Sequence, residues 1–285
     1  MSKPLLIDTH AHANFNVYQD DGDQIIKRAL DENIWLINIG AQYSTSQRAV
    51  EYAKKYKEGV YAVVGLHPIH VNKGGFEKEW DGAVSEREFE EFDSEKYKKL
   101  LENPKVVAMG EIGLDYFEGI TEKQKEKQKQ VFMEQLDLAR QMDKPIVFHC
   151  RKAYHDLIEL LKMFNLGCAG CPMGGGCAPK LKGALHCFMG RWSQAEKFLE
   201  MDFYFGFNGL ITYARDYDKV IKNLPLEKIL LETDCPYLTP EPHRDKRNEP
   251  LYVKYVAEKI AEIKGIKFEQ VVEQTTKNAK ELFNI

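Results

Sequence analysis

The sequence lacks an excess of positive charge, a long apolar run and a recognisable leader. Its 40 lysines and arginines stand against 44 aspartates and glutamates, a net charge of −4. Such a protein does not attract nucleic acid as a whole, so any such contact depends on a local basic patch. No apolar run approaches the ~20 residues that cross a bilayer, and nothing resembles a signal peptide. We therefore expect a cytoplasmic protein without a membrane partner.

Eight short apolar segments alternate with amphipathic ones along the chain. The predicted strands are Leu5–His10, Trp35–Ile39, Tyr61–Leu66, Val106–Glu111, Pro145–His149, Ala184–Phe188, Phe203–Phe207 and Ile229–Glu232. The predicted helices are Asp23–Asn33, Ser44–Tyr56, Glu86–Leu101, Lys123–Met142, Tyr154–Phe164, Ser193–Met201, Asp216–Asn223 and Leu251–Lys264. Apolar strands that alternate with helices are typical of parallel sheets. The order predicts an α/β protein, a (β/α)8 TIM barrel formed by one domain over residues 1–285, with an open doubly wound sheet as the alternative.

Residues of metal-ligand type occur at or just past the end of several predicted strands. They are His10, His12, Glu111, His149, His186 and Asp234. In a barrel of this kind the carboxyl ends of the strands form one rim, where the active site lies. An open sheet would not easily bring its first and eighth strands together at one site. The pattern therefore predicts that these side chains converge on two divalent cations.

The donor types indicate how the ions would be shared. His10 and His12, two residues apart on a strand, can face the same side and hold one ion, which Asp234 completes. Glu111 can bridge the two ions, and His149 and His186 supply nitrogen to the second. Imidazole with carboxylate suits zinc, manganese, iron or nickel, and oxygen-rich sites favour magnesium, so the metal stays open.

A pair of divalent cations indicates a hydrolase, because together they activate water and stabilise the leaving group. Asp234 is placed to take the proton of the attacking water as a general base. Glu232, two residues earlier, would orient water or a ligand. Taken singly, each of these residues is better explained as a structural polar group; it is their occurrence together at one rim that favours a functional site.

The motifs T-H-A-H, G-L-H-P, G-E-I-G-L-D-Y, H-C-R-K-A, H-C-F-M-G and E-T-D-C-P-Y-L occur in this order between Ile7 and Phe283. Their combination resembles the TatD family of metal-dependent deoxyribonucleases. The resemblance implies an amidohydrolase-type barrel with two metal ions that removes nucleotides from DNA ends by phosphodiester hydrolysis. It places the family's metal ligands on the six residues given above. It also implies that His67, in G-L-H-P, contacts a substrate phosphate.

Basic residues near the predicted rim are candidate phosphate contacts. The loop E-P-H-R-D-K-R-N-E-P resembles a basic stretch of the family and contains His243, Arg244, Lys246 and Arg247; Arg151 and Lys152 follow His149. We predict Arg151, Arg244 and Arg247 as substrate contacts, with a solvated charged loop as the alternative. The aromatic residues Tyr116, Phe117, Phe188, Trp192 and Tyr237 either stack on a terminal base or pack beneath the loops. We expect His70 and His155 at the surface.

Two segments depart from the resemblance. The glycine-rich stretch between the fifth predicted helix and the sixth strand contains Cys168, Cys171 and Cys177. It is interpreted as an inert insert, a redox-labile C-x2-C pair, or an auxiliary metal site completed by another chain, because a tetrahedral site needs a fourth ligand. The acidic segment Gly74–Glu95 is expected to arch near the rim.

The sequence is also compatible with two other functions. The same metal pair could hydrolyse a small amide, lactone or phosphoester, since barrels of this type host many chemistries. A metal-binding scaffold without activity is the third possibility. The expected substrates are single-stranded DNA ends or a small phosphoester, and no obligate protein partner is indicated. The physiological metal, the polarity of cleavage, DNA against RNA and the oligomeric state stay open.

Overall fold

The structure, a computed structural model, describes residues 6–74, 76–78, 84–86, 88–117, 119–166 and 180–285. Strands β1 to β10 are Leu6–Ala11, Ile34–Ile39, Val60–Val64, Phe76–Lys78, Val84–Glu86, Val106–Asp115, Ile146–Arg151, Gly183–Leu185, Tyr204–Phe207 and Ile229–Leu231. Helices α1 to α9 are Gly22–Asp31, Tyr43–Lys54, Ser94–Leu101, Glu122–Gln141, Tyr154–Leu166, Trp192–Glu200, Asp218–Asn223, Val253–Lys264 and Phe268–Phe283. None of the helices in these ranges combines the length and the apolar character that crossing a membrane requires.

Eight of the strands form a parallel barrel in the order β1-β2-β3-β6-β7-β8-β9-β10. The ring closes just beyond β10, where the Asp234 N–H donates to the His10 carbonyl at 2.8 Å and Ala11 pairs with Cys235. The predicted (β/α)8 barrel is confirmed, and the open doubly wound alternative is wrong. The short antiparallel pair β4 and β5 belongs to a separate sheet.

The strands separate two apolar clusters. One contains Ile7, Ile37 and Leu230 together with Leu282 and Phe283 of α9. The other is larger and joins the strands to the surrounding helices. Because the Asn278 amide of α9 donates to the carbonyl of Ile229, the first residue of β10, α9 covers the amino-terminal end of the barrel.

Two helical assignments differ from the sequence analysis. The helix predicted over Glu86–Leu101 is present, but its predicted start is wrong: it begins at Ser94, where the Asp93 carboxylate caps the N–H groups of Glu95 and Lys96. Helix α9 was not predicted. Its signal was present as Val271, Thr275, Ala279 and Leu282, which recur at the spacing of a buried helical face.

Some sequence predictions lie outside the described residues. This holds for Cys168, Cys171 and Cys177, for Leu5 at the start of the first predicted strand, and for parts of Gly74–Glu95. The three interpretations of the cysteine-containing stretch stay predictions, as does the arch of Gly74–Glu95 near the rim.

Candidate metal centre

The predicted ligand side chains of β1 and of the segment after β10 meet at one point. His10 Nε2 lies 3.2 Å from His12 Nε2 and 3.8 Å from Asp234 Oδ1. The same Asp234 oxygen lies 3.4 Å from His12 Nε2. Since the three atoms lie within 4.8 Å of one another, these three residues could hold one metal ion.

Glu111 joins this group to the other predicted ligands through its two carboxylate oxygens. Oε2 lies 3.3 Å from His10 Nε2. Oε1 lies 2.5 Å from His149 Nδ1 and 3.7 Å from His186 Nε2. Each oxygen of the carboxylate therefore faces a different set of imidazole nitrogens, so all six predicted ligand residues are brought together.

Irregular strand pairing occurs beside two of these side chains. The register between β1 and β2 shifts between Asp8 and Ala11, and that between β6 and β7 shifts between Gly110 and Ile112. Bulges of this kind redirect side chains and are common next to active sites. The shifts flank His10 in β1 and Glu111 in β6.

Two of the histidines are oriented by a hydrogen bond from the ring nitrogen that faces away from the centre, and the corresponding nitrogen of a third lies beside a carboxylate. His12 Nδ1–H donates to the Ile39 carbonyl at 3.0 Å. His149 Nε2–H donates to Asp115 Oδ2 at 3.0 Å, and His186 Nδ1 lies 3.1 Å from Glu232 Oε1. Histidines that bind metals show this arrangement, in which the second nitrogen donates to a carbonyl or carboxylate.

The charges at the centre favour a cation. Burial alone would lower the pKa of His149, but Glu111 and Asp115 outweigh it and raise the pKa to about 9. For His186, burial is outweighed by Glu232, Glu111 and Asp234, which raise the pKa to about 10. The carboxylates thus hold protons on two imidazoles, and a divalent cation would neutralise the same negative potential. The donor set and its charge fit divalent metal ions.

His67 is close to the centre but is bonded differently from the predicted ligands. Its Nδ1 accepts the N–H of Ile69 at 3.2 Å, so the proton of the neutral ring lies on Nε2. Burial, together with the neighbouring His149, lowers its pKa, which keeps the ring neutral. Since Nε2 lies 3.5 Å from Glu111 Oε1, His67 presents a hydrogen-bond donor at the centre.

Three comparisons place these residues among known proteins. A family model described as "TatD related DNase" matches residues 7–284. The chain belongs to the TatD family. It is 38% identical over 284 residues to the "uncharacterized metal-dependent hydrolase YabD" of Bacillus subtilis, covering 99% of this chain and 100% of that one. It is also 29% identical to a "3'-5' ssDNA/RNA exonuclease TatD" of Erwinia tasmaniensis, covering 98% and 100%.

A solved structure agrees with this assignment. The TatD homologue YJJV of Escherichia coli K12 superposes with a TM-score of 0.80 at 28% identity, covering 99% of this chain and 98% of that chain. The family resemblance and the barrel expected from it are confirmed. This TatD-family chain is a metal-dependent hydrolase, and its His, Asp and Glu clusters are candidate metal sites.

Asp115 is a residue of the TatD-family site that the sequence analysis missed. It is 4% exposed, and while Oδ2 accepts from His149, Oδ1 accepts the N–H of Phe117 at 3.1 Å. Gln128 of α4 fixes this strand end, because its amide bonds to both the N–H and the carbonyl of Asp115 at 2.9 and 3.1 Å. The motif G-E-I-G-L-D-Y contains Asp115, but its partner His149 lies on the neighbouring strand β7, so the motif alone does not reveal the contact.

Asp115→Asn is expected to weaken binding of the ion at His149 by about 10- to 100-fold, because the carboxylate that orients and charges the imidazole is lost. Competition with a chromogenic chelator measures that affinity. The control is Asp137→Asn, an exposed aspartate of α4. Equal affinities in both variants would show that Asp115 has no part in metal binding.

Asp8 holds the backbone beneath the centre. Its Oδ1 accepts the N–H groups of His10 at 3.2 Å and Thr233 at 2.9 Å, and Oδ2 accepts the Thr233 hydroxyl at 2.6 Å. Burial raises the pKa of this carboxyl well above its ordinary value. Asp8 thereby links β1 to the segment that carries Asp234.

The predicted basic contacts differ in how freely they reach solvent. Arg244 is exposed, and its guanidinium lies 3.5 Å from the centre of the Tyr213 ring. Arg247 instead donates to the Val17 carbonyl at 2.8 Å and pairs with Asp21, so it ties its loop to the segment after β1. Arg151 and Lys152 are exposed at the end of β7.

The predicted aromatic residues also separate by burial. Phe188 is 2% exposed and belongs to the outer cluster, where Tyr116 and Trp192 also pack. Tyr237 is partly buried, and Phe117 is exposed.

The two histidines expected at the surface have different outcomes. His155 is exposed, as predicted. The prediction for His70 is wrong: its side chain is buried, and Nδ1–H donates to the Glu88 carbonyl at 2.9 Å. Its position in the helical turn after His67 explains the difference, because that turn packs beneath the segment that leads to α3.

Proposed function

We propose that this TatD-family chain removes nucleotides from the ends of single-stranded DNA with two divalent metal ions. The observation that carries the proposal is Glu111, whose Oε2 faces His10 while its Oε1 faces His149 and His186. The first ion would be held by His10, His12, Asp234 and Glu111, and the second by Glu111, His149 and His186. Such a pair supplies activated water and stabilises the charge that develops in phosphodiester hydrolysis.

Asp234 is the proposed general base. Burial acts to raise its pKa, but His186, His12 and His10 lower it below the ordinary value, so the side chain is ionised. Its position at the mouth of the barrel allows it to accept a proton from water beside the substrate. We propose that Glu232 acts through His186, because its Oε1 lies 3.1 Å from His186 Nδ1 and is fixed there by accepting the Cys187 N–H at 2.7 Å.

The proposed phosphate contacts are one histidine near the metal centre and three arginines of the rim segments. His67 would donate from Nε2 to a phosphate oxygen, and the exposed Arg244 and Arg151 would pair with phosphates along the strand. Arg247 stays a predicted contact that would have to exchange its pairing with Asp21 for a phosphate. The name of the Erwinia tasmaniensis relative supports a single-stranded nucleic acid as substrate.

A metal-by-substrate activity matrix tests the proposal. Protein stripped with chelator and reloaded with zinc, manganese or magnesium is given end-labelled single-stranded DNA, RNA, a lactone and an amide. We expect stepwise release of mononucleotides from DNA, absent in the stripped protein. Intact oligonucleotides together with turnover of the lactone or amide would replace this proposal by the small-substrate hydrolase.

A further inference from the structure

We propose that Phe117 and Arg151 form a subsite that stacks on one unpaired base near the cleaved phosphodiester. The inference rests on the proposed function, because the subsite would bind part of the same single-stranded substrate. It arises from an exposed aromatic ring at the rim of the barrel.

The exposure of Phe117 is unusual for this chain. Its side chain is 45% exposed, and the other large apolar side chains exposed in the described residues are Met163 (63%) and Met189 (38%). The Arg151 guanidinium carbon lies 4.2 Å from the centre of the Phe117 ring, and Lys152 Nζ lies 6.0 Å from it. The ring therefore has two cationic neighbours, Arg151 and Lys152, and still exposes surface to solvent.

The backbone holds Phe117 and Arg151 at fixed positions. Phe117 is the second residue after the end of β6, and Arg151 is the last residue of β7, where it pairs with Asp115. The Tyr116 N–H donates to the Arg151 carbonyl at 2.9 Å, and the Phe117 N–H donates to Asp115 Oδ1. The backbone of both residues is thus fixed before any substrate binds, which lowers the entropy lost on binding.

The same contacts connect the ring to the candidate metal centre. Asp115 bonds to the Phe117 backbone through one oxygen and to His149 through the other, and His149 contacts Glu111. A base on Phe117 would therefore lie beside the reacting phosphate.

Charge complementarity favours a nucleotide as the occupant. Aromatic rings bind bases of any sequence by stacking, and an adjacent arginine adds attraction for the phosphate. The protein as a whole carries a net charge of −4. Attraction for an anionic strand must therefore be local, and Arg151 and Lys152 beside the Phe117 ring supply it.

The test combines side-chain and base deletion in a double-mutant cycle. The variants are Phe117→Ala, Phe117→Trp and, as a matched control, Met163→Ala, which removes a more exposed apolar side chain of α5. Each binds fluorescent oligonucleotides that carry one abasic position, moved along the strand, and affinity is read by anisotropy. Rates on the unlabelled strands and on a small phosphodiester without a base are measured in parallel.

We expect Phe117→Ala to lose about 5- to 150-fold in affinity for the intact strand, as for loss of one stacked base. Phe117→Trp and Met163→Ala should bind like the unchanged protein. At one position in the strand, removal of the base should lower the affinity of the unchanged protein by a similar factor. The same removal should leave the affinity of Phe117→Ala unchanged. Arg151→Ala should lower the slope of log affinity against log salt concentration by about 0.7, as for loss of one phosphate contact.

Two results would overturn the subsite. If every abasic position weakens Phe117→Ala as much as the unchanged protein, no base lies on the ring. If Phe117→Ala changes the oligomeric state and not the affinity for DNA, the ring is a contact between copies of the chain. Failure of the proposed function shows separately, as absence of hydrolysis for all phosphodiesters, while the binding measurements still decide the subsite.

Discussion

Asp234→Asn is expected to lower kcat on single-stranded DNA by about 10²- to 10⁴-fold, the range for loss of a general base. The Asp234 Oδ1 atom lies within 3.4–3.8 Å of nitrogens of His12, His186 and His10. Asparagine keeps the shape but removes the charge and the proton acceptor. Initial rates on an end-labelled oligonucleotide at saturating metal measure the effect, because saturation separates the loss of a base from weaker metal binding.

The matched control for this substitution is Asp31→Asn, an exposed aspartate at the end of α1. Both variants should unfold at the same temperature if the fold is unchanged. A rate for Asp234→Asn within a factor of ten of the unchanged protein would exclude Asp234 as the base.

Glu111→Gln is expected to remove both ions and with them about 10³-fold or more of the activity, since metal activation of water and stabilisation of charge are lost together. Glu111 is 4% exposed, and His10, His67, His149 and His186 all lie within 3.7 Å of its oxygens. These side chains lower its pKa well below the ordinary value against the opposing effect of burial. The amide would replace one of the two charged oxygens by a donor that faces imidazoles.

Elemental analysis after equilibration with metal checks this result. We expect two equivalents in the unchanged protein and less than one in Glu111→Gln. Glu134→Gln, an exposed glutamate of α4, is the control and should keep two. A single equivalent in the unchanged protein, or two in Glu111→Gln, would contradict a bridging carboxylate.

The barrel and the approach of the six ligand residues could be predicted because both depend on local patterns. A histidine or carboxylate at the end of an apolar strand indicates the rim without knowledge of the neighbouring strand. Asp115 could not be found in this way: it is 34 residues from His149, and their contact depends on the register of β6 with β7. The start of α3 was predicted too early for a different reason. The charged, amphipathic pattern begins upstream of Asp93, so the sequence does not show that Asp93 caps the helix.

The charge or aromatic character of a residue does not show from the sequence whether its side chain is exposed to substrate or packed within the fold. Arg244 and Arg247 lie in one basic loop, yet one is exposed and the other pairs with Asp21. Phe117 follows β6 and Phe188 follows β8, yet only Phe117 is exposed. These differences follow from tertiary packing, which determines the partner that each side chain meets.

The position of α9 has a consequence for biosynthesis. Its Leu282 and Phe283 complete the apolar cluster that includes Ile7, and the ring itself closes only when the segment after β10 reaches His10. During translation, His10 and His12 leave the ribosome long before Asp234 and α9. The nascent chain therefore holds its first two imidazoles without their carboxylate partner, and the complete cation-binding geometry forms only after the later segments have emerged.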